Sequence, residues 1–128
     1  MVIVLESPTI HTLAQIAIGC VWIFHGLYSK VLNGIPRHRQ IVERVLGKNV
    51  GHSATIAIGI LEVLLGIWVF SGWQRVGCAV VQMLAIVGMN TLEIILAADL
   101  LISAVGMVFL NLGFLALVWL WAMSVPKY

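Results

Sequence analysis

Four apolar runs, separated by short polar breaks, leave this chain few folds to adopt. They lie at about 9–30, 52–71, 76–98 and 101–123. A helix that crosses hydrocarbon needs roughly 20 predominantly apolar residues, so four such runs use up most of the 128 residues. Composition agrees, with 62% hydrophobic residues, 9% charged and a mean hydropathy of +1.10. A water-soluble domain of this length could not cover so much apolar surface with so few charges. Period-two alternation is absent, so strands are not expected. The expectation is an all-α, polytopic membrane protein: one domain, 1–128, of four transmembrane helices in an antiparallel bundle.

Several function classes drop out at once. A net charge of +2 with no arginine-rich, aromatic-interleaved patch is no footprint for nucleic acid. Cys20 and Cys78 are isolated within apolar runs, with no Cys-x-x-Cys. No His-x-x-x-His pair within a span suits zinc or haem, so no metal site is expected. No serine or cysteine stands beside a histidine as a nucleophile would, and no Gly-rich phosphate loop occurs, so no catalytic residue is assigned. The start, Met1-Val-Ile-Val-Leu-Glu6, lacks a positive n-region and a cleavage site, and the first run is expected to be retained.

Taken in order, Ser7-Pro8 reads as a cap and first helical residue. At about 100° per residue the first span sorts His11, Gln15, Trp22, His25, Gly26 and Ser29 onto one side, with Gly19 and Lys30 at its margin. Leu13, Ile16, Val21, Phe24 and Leu27 take the other. The polar side must meet protein, because hydrocarbon offers no hydrogen bonds. Asn33-Gly34 ends the span. Pro36 opens a segment at about 36–46 that is too short and too charged to cross. Ile41, Val42, Val45 and Leu46 form one face of it, and Arg37, Arg39, Gln40, Glu43, Arg44 and Lys48 the other. That pattern describes an amphipathic helix in the membrane interface. Gly47 and Gly51 are expected to break the chain before the second span, in which Thr55, Gly59, Glu62 and Gly66 share a face. Gly26, Gly59 and Gly66 are helix-packing candidates, since small residues let membrane helices approach closely. Four spans put both termini on one side, and Pro126-Lys127-Tyr128 is a stub. The first loop carries Lys30, Arg37, Arg39, Arg44 and Lys48 against only Arg75 and Lys127 opposite, so the positive-inside rule places that loop in the cytoplasm.

The polar residues inside the spans are few, and each is a functional candidate by default. Counting depth at about 1.5 Å per residue puts Glu62, Gln82 and Asn111 near mid-membrane. A second layer nearer the first loop holds His25, Ser29, Lys30, His52, Thr55, Asn90 and Glu93. Two carboxylates, Glu62 and Glu93, thus face one lysine and one or two histidines. The candidates for ligand binding or proton handling are Trp22, His25, Lys30, Glu62, Gln82, Asn90, Glu93 and Asn111. Gln82 and Asn111 taken singly read as interhelical glue, and Trp22 as packing.

Trp22-x-x-His25-Gly26-x-x-x-Lys30, then a polar linker, then Gly59-x-x-Glu62-x-x-x-Gly66, resembles the DoxX-like family of small four-helix membrane proteins. Length, span count and span order fit along nearly the whole chain. The last part departs: relatives carry a Pro-Phe-x-Pro segment before a Lys-Asn, where this chain reads Ala98-Asp99-Leu-Leu-Ile-Ser103, and only Asn111 answers the asparagine. The resemblance implies a multi-pass protein of the prokaryotic plasma membrane. Some members resemble subunits of thiosulfate:quinone oxidoreductase, others act in redox-stress complexes, some are linked to short-chain-dehydrogenase-like proteins, and distant eukaryotic relatives assist receptor assembly. With that mixture, fold does not decide activity.

The leading expectation is a membrane subunit that holds a quinone or lipid beside His25, Lys30, Glu62 and Glu93. His25 or Lys30 would donate to a ligand carbonyl, and Glu62 or Glu93 would orient that donor or take a proton. Beyond the lipid bilayer, the implied partner is a soluble or membrane redox protein, because the chain has no electron carrier of its own; an oligomer is compatible with this. The alternative is a non-catalytic scaffold or assembly factor whose polar cluster is structural. A proton-coupled carrier ranks third, since no discontinuous helix reaches mid-membrane.

Overall fold

The computed structural model describes residues 8–124; the Ser7 cap, the apolar N-terminus and the Pro126-Lys127-Tyr128 stub lie outside the described residues. Helix α1, Pro8–Ile23, runs directly into a π-helical segment, Phe24–Val31, and the two form one apolar rod. Next come α2 (Pro36–Leu46), α3 (Lys48–Ser71), α4 (Arg75–Leu96), a 3-10 turn (Ala98–Leu100) and α5 (Ala104–Met123). The rod, α3, α4 and α5 are each long and apolar enough to cross a membrane, and α2 is the short amphipathic helix expected at 36–46.

Helix boundaries follow local chemistry. Asn33 takes a left-handed φ of 54° and stops the rod, and Pro36 at the first turn starts α2. Gly47, at φ 98°, alone separates α2 from α3. Gly51 is no break: α3 begins at Lys48 rather than His52, and Gly51 lies inside it, buried where the Glu43 side chain of α2 closes on its backbone. Helix α4 ends at Leu96, before the expected 98, and Ala98–Leu100 winds into the tighter turn. Helix α5 starts at Ala104 rather than 101 because Ser103 caps it, its hydroxyl accepting from the Gly106 N–H at 3.0 Å.

The rod packs along α3, and α4 packs along α5. Glycine makes the first pairing close. A methyl group placed on Gly59 would sit 2.6 Å from the Gly26 carbonyl oxygen, and one on Gly66 would sit 3.0 Å from that of Gly19. Near the end of α3, Gln15 donates from Nε2 to the Val69 and Phe70 carbonyls, 2.9 Å each, two of the terminal acceptors the helix cannot satisfy itself. Ile18, Trp22, Val69, Cys78, Val118 and Trp121 join the two pairs in one core. Contact between α3 and α4 is sparser than within either pair. Helix α2 rests mainly on α3 and reaches α4 and the 3-10 turn, where Arg44 grips Asp99 through two bonds of 2.7 and 3.1 Å. Leucines on the outer surface, such as Leu84 and Leu110, lie open to the surroundings, as a bilayer requires.

Candidate functional site

Among the described residues, the one ion pair inside the spans joins the two motifs singled out above. Lys30 Nζ lies 2.7 Å from Glu62 Oε1, with side chains only 11% and 6% exposed. Lys30 sits at the margin of the polar side if the span is α-helical throughout. The π segment changes that, because each π turn takes one more residue than an α turn. Its i→i+5 pattern shows at the end, where the Leu32 N–H donates to the Leu27 carbonyl at 2.9 Å. Gly26, Ser29 and the Lys30 side chain lie inward together while Leu27 and Tyr28 stay exposed. On α3, Glu62 stands at the border of two faces. The small-residue face, with Gly59 and Gly66, meets the rod; on the adjoining face Leu65 and Trp68 reach the core while Leu61 stays exposed.

That second face forms one wall of a groove of about 400 Å³. Val81, Ala85 and Met89 of α4 make the opposite wall, and Trp22 and Glu62 also line it. Both indole donors at the groove are engaged within the protein: Trp22 Nε1 donates to Gln82 Oε1 at 2.7 Å, and Trp68 Nε1 to the Trp73 carbonyl at 2.8 Å. Glu62 Oε1 faces Lys30, and no described residue donates a hydrogen bond to Glu62 Oε2. The groove therefore offers hydrocarbon, two indoles, a thioether and one carboxylate.

The expected polar residues make their direct contacts in pairs. Lys30–Glu62 ties the rod to α3, Trp22–Gln82 ties the rod to α4, and Asn111 Nδ2 donates to Asn90 Oδ1 at 3.0 Å between α5 and α4. Gln82 is fully buried, and its amide also reaches Cys78 Sγ at 3.4 Å. Glu93, near the end of α4, is partly buried within electrostatic reach of Lys30, Glu62 and Arg37. His25 does not line the groove. Its ring stacks on that of His38, centroids 5.8 Å apart and planes 19° from parallel. Thr55 donates to the Gly51 carbonyl within its own helix, and the buried Ser29 hydroxyl has no partner among the described residues.

Two features escaped the sequence reading. His38 is half-buried with Nδ1 unpartnered, and burial together with Lys30, His25 and Arg37 nearby pushes its pKa down to about 4, so the ring is neutral at pH 7. The signal was present: His38 opens the stripe His38-Ile41-Val42-Val45, at the i, i+3, i+4, i+7 spacing of a buried face. The second lies at the far end of the bundle. His11, 3% exposed, contacts Ser124 Oγ through Nδ1 at 2.6 Å and Arg75 Nη1 through Nε2 at 3.4 Å, and stacks on Trp121. Since Ser124 donates to the Trp121 carbonyl, it accepts from His11 Nδ1–H, and Arg75 donates to Nε2. His11 thereby carries a hydrogen-bond chain across three helices, a role no motif announces.

Four apolar rods stitched by buried polar pairs, with a short amphipathic helix at one end, define a polytopic helical membrane protein. The profile of the DoxX-like family matches residues 19–119, and the chain belongs to that family. No curated protein and no solved structure matches it.

Proposed function

We propose that this DoxX-like protein holds an apolar ligand, a quinone or lipid, in the groove between α3 and α4 beside the Lys30–Glu62 pair, as the membrane subunit of a redox-linked complex. The observation that carries the reading is an apolar groove of about 400 Å³ with a charged pair set into its wall. Such a volume lies within the range of small-molecule sites, which combine apolar walls with few polar groups. Leaving a seam unfilled lowers stability, and an occupant would supply the missing contacts. Electrons would come from a partner protein. In this reading the chain sits in a prokaryotic plasma membrane with the first loop in the cytoplasm, its cations directed at anionic headgroups.

The test is native mass spectrometry on protein extracted gently from its own membrane, with quinone and lipid analysis of the same sample. A small molecule retained near one per chain, and lost when Ala85→Phe fills the groove, is the expected result. No retained molecule in either form overturns it. A second reading, the scaffold, draws on the other pairs: Trp22–Gln82 and Asn90–Asn111 join helices without touching any open volume beyond the Trp22 wall. It expects a co-purifying protein, insensitive to Ala85→Phe, and no bound small molecule.

A further inference from the structure

We infer that the groove selects an amphiphile with a phenolic head, one that donates a hydrogen bond to Glu62 and lays its ring among the groove's aromatic side chains. This rests on the reading of the groove as a ligand site and narrows it: of the ligands named there it admits a hydroxyl-bearing head and not the carbonyls of an oxidised quinone. The argument is a census of hydrogen-bonding capacity. Trp22 and Trp68 have spent their N–H groups on Gln82 and on the Trp73 carbonyl. His25 is stacked on His38, outside the lining. Lys30 is also outside it, with its ammonium against Glu62 Oε1. What the groove retains is an acceptor, the carboxylate of Glu62, the one charged side chain in its lining. A ligand that can only accept, such as a carbonyl or an ether, finds no donor there. It would also leave the carboxylate oxygen desolvated and unpaired, which is costly.

Charge narrows the class further. Lys30 already neutralises Glu62, so a cationic head would bring an uncompensated charge into an apolar groove. A neutral hydroxyl avoids that. Among hydroxyls, a phenol is the more acidic donor, and its ring suits walls that present Trp22, Trp68 and Met89, since aromatic rings and thioethers attract one another beyond simple area burial.

The experiment compares three brominated-tail probes with one alkyl chain: a 4-alkylphenol, the matched 4-alkylanisole and the matched 4-alkylcyclohexanol. Each is titrated into protein in phosphatidylcholine nanodiscs, with quenching of tryptophan fluorescence as the readout. Wild type should bind the phenol at least about tenfold more tightly than the anisole, the value of one hydrogen bond to a charged acceptor, and more tightly than the cyclohexanol. The double variant Lys30→Met/Glu62→Leu removes both charges, so that neither is left buried alone, and it should bind phenol and anisole alike. Saturable binding of all three with equal affinity leaves the groove a ligand site and overturns the phenol inference. A phenol preference that survives in the double variant also overturns it. Saturable binding of none overturns both the inference and the site reading beneath it.

Discussion

At the scale of single residues, Lys30 and Glu62 depend on each other. Each is almost fully enclosed, and a buried charge without its partner destabilises by about 3–5 kcal/mol, whereas replacing both by apolar groups is often neutral. Glu62→Leu should therefore cost about that much, and adding Lys30→Met should recover most of it. Steric-trap unfolding in bicelles measures both; equal losses in the single and double variants would show that the pair is uncoupled. His38 makes a different statement. Its pKa is depressed from 6.5 to about 4, so between those values the unfolded chain binds more protons than the folded one. Stability of the docked α2 is full above pH 6.5, falls as pH drops toward 4, and levels off below it. Hydrogen exchange of α2 amides across pH 4–7, corrected for intrinsic rates, should show this slope, and His38→Asn should flatten it. His38 illustrates what was hard to read: a lone histidine between two arginines was given to neither face of α2, although its spacing to Ile41 places it on the buried one.

At the scale of elements, two glycines test the pairing of the rod with α3. A side chain on Gly59 meets the Gly26 carbonyl, a backbone atom that cannot turn aside, so Gly59→Ala must push the helices apart. Overpacking of this kind costs about 1–3 kcal/mol. Gly88 on α4 has no atom within 4 Å of where its Cβ would sit, and Gly88→Ala should be neutral or stabilising by up to about 1 kcal/mol. The same unfolding assay separates them; comparable losses would mean that the close approach is not what Gly59 serves. These helices were legible because hydropathy, small-residue faces, Pro36 and Asn33-Gly34 act locally. The π segment was not, because an i→i+5 turn uses the same residue types as an α turn and alters only their phase. Gly51 misled for a related reason: a glycine that permits close packing and one that stops a helix look identical until the neighbour is known.

At the scale of the molecule, the bundle is two tight helix pairs with a loosely filled seam, and the candidate site occupies the seam. No local pattern announces it, because a groove is contact that neighbouring helices fail to make. The sequence could name Glu62 but not the wall of Ile58, Leu65, Val81, Ala85 and Met89 around it. Orientation is a property of the whole chain as well. The proposed placement of the first loop in the cytoplasm predicts that Arg39→Cys in spheroplasts resists an impermeant maleimide until the membrane is opened, and labelling of intact spheroplasts would reverse the assignment. The π segment has one consequence on this scale. Counted along the chain, it is a residue that an α-helical lattice has no room for. Deleting Leu27 would let Phe24–Val31 settle into α-helix with everything downstream still in phase, whereas closing the segment to α-helix with all its residues kept would turn everything downstream in the rod by about 100° and push it on by about 1.5 Å. Lys30 would swing away from Glu62 without any change to either side chain, and the first loop would leave the rim of the bundle at another point, taking the resting place of α2 with it. Where α2 lands is thus decided by arithmetic, one residue more or less in the winding of the rod.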